Sequence, residues 1–119
     1  MPVTGIGGIF FRAKDPKSLS EWYRRHLGVG SVGYSPWQQA AGPTIFSPFA
    51  EATDYFPPDK QWMINLRVEG LDALLRDLEA AGIAAITKAE WDTPETGRFA
   101  RIHDPEGNPI ELWEPPADD

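Results

Sequence analysis

One local pattern occurs twice in this chain: an extended apolar segment, then an amphipathic helix, then a glycine. In the first half, residues 5–13 (GIGGIFFRA) precede apolar residues at helical spacing that end at Gly28. In the second half, the alternating residues 61–68 precede helically spaced leucines that end at Gly82, about 55 residues after the first set. A glycine directly after such a run is typical of a helix C-terminus. The repeat therefore predicts two similar strand-then-helix units.

Capping residues and short β-like segments extend both units. Asp15 is a good N-cap and Pro16 suits a first helical turn, so the first helix is expected to begin there. Each helix is followed by short apolar segments between Gly-, Ser- and Pro-rich turns. The predicted strands are 32–34, 37–40 and 44–49 in the first unit, and 83–87, 98–103 and 110–113 in the second. This order predicts an α+β fold of two βαβββ modules in tandem, about 1–56 and 60–119.

Length and charge restrict the class of protein. A chain of 119 residues supports a single domain. Eighteen acidic against 11 basic residues, a net charge of -7, disfavour nucleic acid and anionic membrane surfaces as partners. No apolar run approaches the ~20 residues of a spanning helix, and the N-terminus lacks the pattern of a signal peptide. We therefore expect a cytoplasmic protein. Zero cysteines exclude disulfides, thiolate metal sites and cysteine nucleophiles.

The sharpest local signal is HDPEGNP at 103–109, which predicts a hairpin with a five-residue loop at 104–108. The loop fixes four cross-strand pairs: Ile102 with Ile110, Ala100 with Leu112, Arg101 with Glu111, and Phe99 with Trp113. Because alternate residues point to opposite faces, the first two pairs are expected against the helices and the other two on the opposite face. An aromatic floor with one pair of opposite charges is typical of a ligand pocket.

These features together resemble the vicinal oxygen chelate superfamily, the group of glyoxalases, bleomycin-resistance proteins and extradiol dioxygenases. The residues that carry the resemblance are the two βαβββ units, Asp15-Pro16 before a helix ending at Leu27-Gly28, and DPEGN leading to IEL at 110–112. The resemblance spans essentially the whole chain. It implies curved sheets around a shared cavity with the helices outside, within one chain or between two chains of a dimer. It does not select one activity.

The resemblance also implies where a metal would be held. Many members bind a divalent ion with one ligand on the first and one on the last strand of each module. The matching positions here are Gly8, which has no donor atom, and Met63, whose thioether suits soft ions. Residues 44–49 contain no carboxylate, so only Glu111 matches. Since one carboxylate cannot supply three or four ligands, we expect no metal cofactor.

Several residues of the open face are candidates for the site. Arg101 and Glu111 either neutralise each other or orient a polar group of a ligand. Trp37 and Trp113 would stack on a planar ligand or pack across a dimer interface. His103, at the strand end, is a candidate acid or base, although a solvated role is the alternative. The remaining candidate contacts of the ligand are Phe10, Met63, Asn65 and Phe99.

Three functions remain open at this stage. The first is a metal-independent protein, similar to bleomycin-resistance proteins, that binds a small aromatic or apolar molecule. The second is a glyoxalase-like lyase or isomerase, or a dioxygenase-type enzyme, with Glu111 as general base and Arg101 or His103 polarising an oxygen. The third is an interaction module whose pocket face closes a homodimer. A homodimer is expected with the first function as well, and neither nucleic acid nor membrane is an expected partner.

Overall fold

The computed structural model describes residues 2–30 and 35–117, and in these ranges the fold is α+β. Two helices cover one face of a three-stranded sheet, and a short 3-10 helix, Ala89–Trp91, precedes the second strand. The elements in chain order are α1 (Pro16–Leu27), β1 (Ile64–Arg67), α2 (Leu71–Ala80), β2 (Arg98–His103) and β3 (Pro109–Glu114). The strand order is β1-β3-β2, with β3 parallel to β1 and antiparallel to β2. Within the described ranges, no helix has the length and apolar character needed to cross a membrane.

Both helices lie where the sequence predicts them. The Asp15 side chain accepts a hydrogen bond from the Ser18 amide at 3.1 Å, and Pro16 occupies the first turn of α1. Gly28 takes the left-handed conformation (φ 66°), and its backbone amide donates a hydrogen bond to the Arg24 carbonyl at 3.1 Å. In the second unit, α2 ends at Ala80, and Gly82 (φ 79°) turns the chain two residues later.

The predicted hairpin register is confirmed in full. The four expected pairs of 99–102 with 110–113 are Cα partners in the β2–β3 ladder. The loop closes through the Asp104 amide, which donates to the Asn108 carbonyl at 3.1 Å, and Gly107 supplies the positive φ (81°) of its turn. This register decides which side chains share a face of the sheet.

The core lies between the sheet and the two helices. Ala100, Ile102, Ile110 and Leu112 are completely buried on this face. They pack in one cluster with Leu19, Tyr23, Leu71 and Leu78 of the helices. As expected, the alternate hairpin residues that face the helices are all apolar.

The loop of the hairpin also holds α1 in place. Asp104 is 4% exposed, and its carboxylate accepts hydrogen bonds from the Tyr23 hydroxyl at 2.7 Å and from the Asn108 side chain at 2.8 Å. The backbone amides of Glu106 and Asn108 donate to the same carboxylate. Glu106 in turn accepts from the backbone amides of Lys14 and Asp15, at the start of α1.

The strand predictions for the first half are wrong where the structure describes them. Residues 5–13, 37–40 and 44–49 run outside the sheet, and the predicted strand 32–34 lies outside the described residues. A strand needs a partner for its backbone groups, whereas here apolar side chains such as Phe10 (95% exposed) and Phe46 (81% exposed) point into solvent. The tandem arrangement of modules therefore stays a prediction.

The second half contains smaller corrections. The strand predicted over 61–68 is shortened to β1, and 83–87 forms only an isolated bridge, between Ile86 and Arg101. The helix and the hairpin of this half form as expected. The described part of the second unit thus supplies the whole sheet, while that of the first unit contributes α1 to its cover.

Candidate functional site

The face of the sheet opposite the helices carries the side chains predicted for the site. Phe99, Arg101, Glu111 and Trp113 alternate with the core residues along β2 and β3. The rings of Phe99 and Trp113 are nearly parallel (7°), with centroids 6.4 Å apart. The Trp113 indole donates to the Thr96 carbonyl at 2.7 Å, which fixes the ring in place. We call Arg101, Glu111, Asn65, Tyr55, Trp91, Phe99 and Trp113 the open-face site.

Glu111 is the acceptor at the centre of the open-face site. It is 8% exposed, and Asn65, its Cα partner on β1, donates to Oε1 at 2.7 Å. The hydroxyl of Tyr55 donates to Oε2. Both carboxylate oxygens are therefore hydrogen-bonded within the chain, which explains how the charged group is accommodated at low exposure.

Arg101 is the donor of the site, and it is 7% exposed. Its Nη2 donates to the Tyr55 carbonyl at 2.8 Å. The guanidinium carbon lies 4.8 Å from the centroid of the Tyr55 ring and 6.0 Å from that of Trp91, within the range of cation–π contacts. Its Nε is buried and has no hydrogen-bond partner among the residues that the structure describes.

Of the two alternatives left open for Arg101 and Glu111, direct neutralisation in an ion pair does not occur among the described residues. They are Cα partners on adjacent strands, but the ion pairs of the described residues involve Arg98 with Asp72 and Glu114, not Arg101. Tyr55 takes the place of a direct contact, because its hydroxyl binds Glu111 and its carbonyl and ring bind Arg101. The two charged residues are thus joined through a neutral side chain.

Tyr55 and Trp91 are the residues of the open-face site that the sequence analysis missed, and Tyr55 is the one that contacts both charged side chains. Tyr55 lies in the irregular segment 51–60, which joins the two predicted modules. The centroid of its ring lies 5.6 Å from that of Phe49 and 5.8 Å from that of Trp91. Burial, followed by the hydrogen bond and charge of Glu111, raises the pKa of Tyr55 to about 12, with Arg101 acting in the opposite direction. The phenol is therefore a proton donor throughout the neutral range. The one available signal was the aromatic pair Tyr55-Phe56 before two prolines.

The structure does not bring all of the predicted residues to this site. Phe10 and Trp37 are exposed on segments outside the sheet, and Met63 is half-buried just before β1. His103 is exposed at the end of β2, where it lines a separate cleft of about 310 Å³ with Trp22 and the chain around 82–84. The proposed catalytic partnership of Glu111 with His103 therefore has no contact that supports it.

The donor set of the open face does not fit a hard divalent cation. Of the positions that the family pattern implies, Gly8 has no side chain and Met63 offers only sulfur. Glu111 supplies one carboxylate, whose oxygens already accept from Tyr55 and Asn65. Among the residues that the structure describes, no three His, Asp or Glu side chains gather into a group that could hold a metal.

Comparisons with known proteins identify the family and support the fold. Residues 8–113 match the family model described as a glyoxalase-like domain. No curated protein matches the chain significantly. Among solved structures, the crystal structure of TnmS3, an antibiotic binding protein from Streptomyces sp. CB03234, is similar to the chain with a TM-score of 0.59. The two sequences are 23% identical, and the match covers 97% of this chain and 98% of TnmS3.

Proposed function

Because this chain belongs to the glyoxalase-like domain family of the vicinal oxygen chelate superfamily, we propose that it binds a small aromatic molecule at the open-face site, without a metal. The observation that carries the proposal is the pair of buried charged side chains, Arg101 and Glu111, set among aromatic rings without pairing to each other. A few convergent polar groups on an aromatic surface are typical of small-molecule sites. The description of TnmS3 as an antibiotic binding protein supports the binding of a small molecule.

The side chains of the site favour a planar ligand. Phe99, Trp113 and Trp91 offer ring surfaces, and the Arg101 guanidinium is itself a planar group on which a ring can stack. Because Glu111 and Asn65 add acceptor and donor atoms at the same face, the polar groups would orient a ligand that the rings hold. Metal independence is supported by the donor set, in which only Glu111 matches the family pattern.

The proposal is tested by thermal shift with a library of antibiotics and aromatic metabolites. A ligand that binds only the native state adds about 2.7 kcal/mol of stability at 100 times its Kd, so the melting temperature rises with the logarithm of the ligand concentration above Kd. We expect Arg101→Lys to abolish the shift, because lysine keeps the charge but loses the planar fork. Arg98→Lys is the matched control, since Arg98 is exposed and outside the site, and it should leave the shift intact.

Other outcomes would contradict the proposal. A library without a single saturable shift would remove small-molecule binding, and equal shifts in both lysine variants would remove the open face as the site. Asn65→Ala, at an exposed position, serves as a second site variant should Arg101→Lys fail to fold. A saturable shift with Mn²⁺, Fe²⁺ or Zn²⁺ after chelator treatment would overturn metal independence.

We also infer that the functional unit is a homodimer. The segments 5–13 and 35–49 have strand-like composition, yet they run outside the sheet with large apolar side chains exposed. Exposed apolar residues in such number mark an interaction surface, and unpaired extended segments favour a second copy that supplies strands of the same kind. Light scattering at micromolar concentration tests the inference: a dimer is expected, and a monomer would overturn it.

A further inference from the structure

Tyr55 contacts Arg101 and Glu111, the two charged residues of the open-face site, in the way a bound ligand would. Its ring lies over the guanidinium of Arg101, its hydroxyl donates to Glu111 Oε2, and its carbonyl accepts from Arg101 Nη2. These are three different kinds of contact, and all of them involve the two buried charged residues of the face. They describe the chemistry that this surface recognises.

A second observation points to a ligand rather than to a purely structural role. Arg101 is only 7% exposed, and its buried Nε has no hydrogen-bond acceptor among the described residues. A buried hydrogen-bond donor without an acceptor lowers the stability of the folded state, and such donors are rare in native proteins. Tyr55 satisfies Nη2 but leaves Nε without an acceptor, so the tyrosine fits this site less well than a molecule with a further oxygen would.

We propose that Tyr55 is a built-in placeholder, and that the ligand which displaces it is a hydroxyaromatic compound bearing a carbonyl oxygen. The ligand hydroxyl donates to Glu111 Oε2, its ring stacks on the guanidinium, and its carbonyl oxygen accepts from Arg101. This inference rests on the proposed function and names the ligand class for the same site. Exchange of Tyr55 for such a ligand conserves the existing contacts and offers Nε an acceptor.

The segment that carries Tyr55 is suited to release. Residues 51–60 contain no helix or strand. The hydrogen bonds between backbone groups of this segment close local turns, such as the bond from the Thr53 amide to the Ala50 carbonyl at 3.0 Å. The Tyr55 ring is half-buried, and its neighbour Phe49 lies on the exposed extended chain. Segments with few buried contacts open at low free-energy cost. Removal of Tyr55 from the face therefore does not require the sheet or the core to change.

The test uses isothermal titration calorimetry of the full chain with a matched pair of compounds. One is 6-acetyl-2-naphthol, which has the hydroxyl, the rings and the carbonyl; the other is its methyl ether, in which a methyl group replaces the hydroxyl proton. Loss of one hydrogen bond to a carboxylate predicts that the ether binds at least about tenfold more weakly. Equal affinities would overturn the proposed hydroxyl contact while leaving aromatic binding as such in place.

Two tyrosine variants separate displacement from general loosening. Tyr55→Phe weakens the placeholder but retains the ring, so the naphthol should bind roughly tenfold more tightly, because a larger fraction of the protein has the site open. Tyr23→Phe is the matched control: it also removes a tyrosine hydroxyl bonded to a carboxylate, but at Asp104, away from the open face. It should lower the stability and leave the naphthol affinity unchanged.

The remaining outcomes are decisive as well. Weaker binding of the naphthol by both Tyr55→Phe and Tyr55→Ala would overturn the placeholder and make Tyr55 a direct ligand contact. Equal binding by both variants would also overturn the placeholder. If neither compound binds any variant while other library compounds shift the wild type, the ligand class is wrong and the proposed function stands. If no compound of the library binds, the proposed function itself fails.

Discussion

The two sides of the β2–β3 hairpin use the same chemical pair, a tyrosine hydroxyl bonded to a carboxylate, in opposite ways. On the helix side, Tyr23 binds Asp104, which also accepts from the loop backbone and from Asn108, so this group is fully used within the fold. On the open side, Tyr55 binds Glu111 from an irregular segment, and the adjacent Arg101 keeps an unsatisfied donor. On the proposed function, the fully hydrogen-bonded pair serves the fold, and the incompletely hydrogen-bonded one belongs to the surface that binds a ligand.

The largest expected effect is a truncation of the helix side. Leu112→Ala removes a completely buried side chain and leaves a cavity against the helices, so we expect the free energy of unfolding to fall by about 2–5 kcal/mol. Phe99→Leu, on the adjacent strand but on the open face, is the matched change and should cost about 1 kcal/mol or less, because Phe99 is only half-buried. Urea unfolding measures both. Equal losses would show that the open face also carries the stability of the fold.

The second effect compares the two carboxylate pairs directly. Asp104→Ala leaves the Tyr23 hydroxyl and the loop amides without an acceptor, and we expect a loss of about 2–3 kcal/mol. Tyr55→Phe, on the open side, should lower the stability by only about 1.4 kcal/mol, the free energy that corresponds to the tenfold larger open fraction expected above. Urea unfolding measures both variants. A larger loss for Tyr55→Phe than for Asp104→Ala would reverse the assignment of the two sides.

The third effect depends on pH. Burial and the neighbouring carboxylate raise the pKa of Tyr55 to about 12 and raise that of Tyr23 further. An unfolded tyrosine has a pKa of about 10, so above this value the unfolded state loses its proton first and stability falls as pH rises. We therefore expect the urea midpoint to be constant between about pH 7 and pH 9 and to decrease at higher pH.

The Tyr variants show which pair is responsible for this alkaline loss. Tyr23→Phe should flatten the decrease more than Tyr55→Phe does, because the shift of Tyr23 is larger. Tyrosinate absorbance during the same titration reports the folded-state ionisation. A rise in stability with pH in this range would contradict the raised pKa of both hydroxyls.

The smallest effect concerns the ion pair of Arg98 with Asp72, which belongs neither to the core nor to the open-face site. Arg98 and Asp72 are 2.7 Å apart but 43% and 66% exposed, and the guanidinium lowers the pKa of the Asp72 carboxyl. Exposed pairs of this kind contribute little, since solvent screens them. We expect Asp72→Asn to leave the melting temperature unchanged within error, and a clear decrease would show that this edge is as critical as Asp104.

The parts of the fold that follow from local sequence could be predicted. The caps at Asp15, Pro16 and Gly28 are local chemistry, and a five-residue loop with strict alternation leaves the hairpin one register. The same alternation placed Asn65, Arg101 and Glu111 on one face. Tyr55 could not be found in this way, because an irregular segment reaches the sheet only through tertiary packing.

One prediction failed, and one open alternative was decided, for related reasons. The alternative in which Arg101 pairs directly with Glu111 rested on cross-strand opposition alone, which does not account for a third side chain between them. The first-half strands were inferred from composition, but a strand forms only where another strand accepts its backbone bonds. In both cases the decisive partner was distant in sequence from the residues that carried the prediction.

The hairpin loop has a consequence for the order in which a nascent chain settles. Helix α1 has 12 residues, a length that is marginal in isolation. Its anchors are Asp104 and Glu106, and Asp104 is synthesised 81 residues after Tyr23. At 5–20 residues per second, the interval is roughly 4–16 s. Helix α1 is therefore synthesised well before these anchors and is among the last elements to be fixed, and a chain truncated before residue 104 lacks both of them.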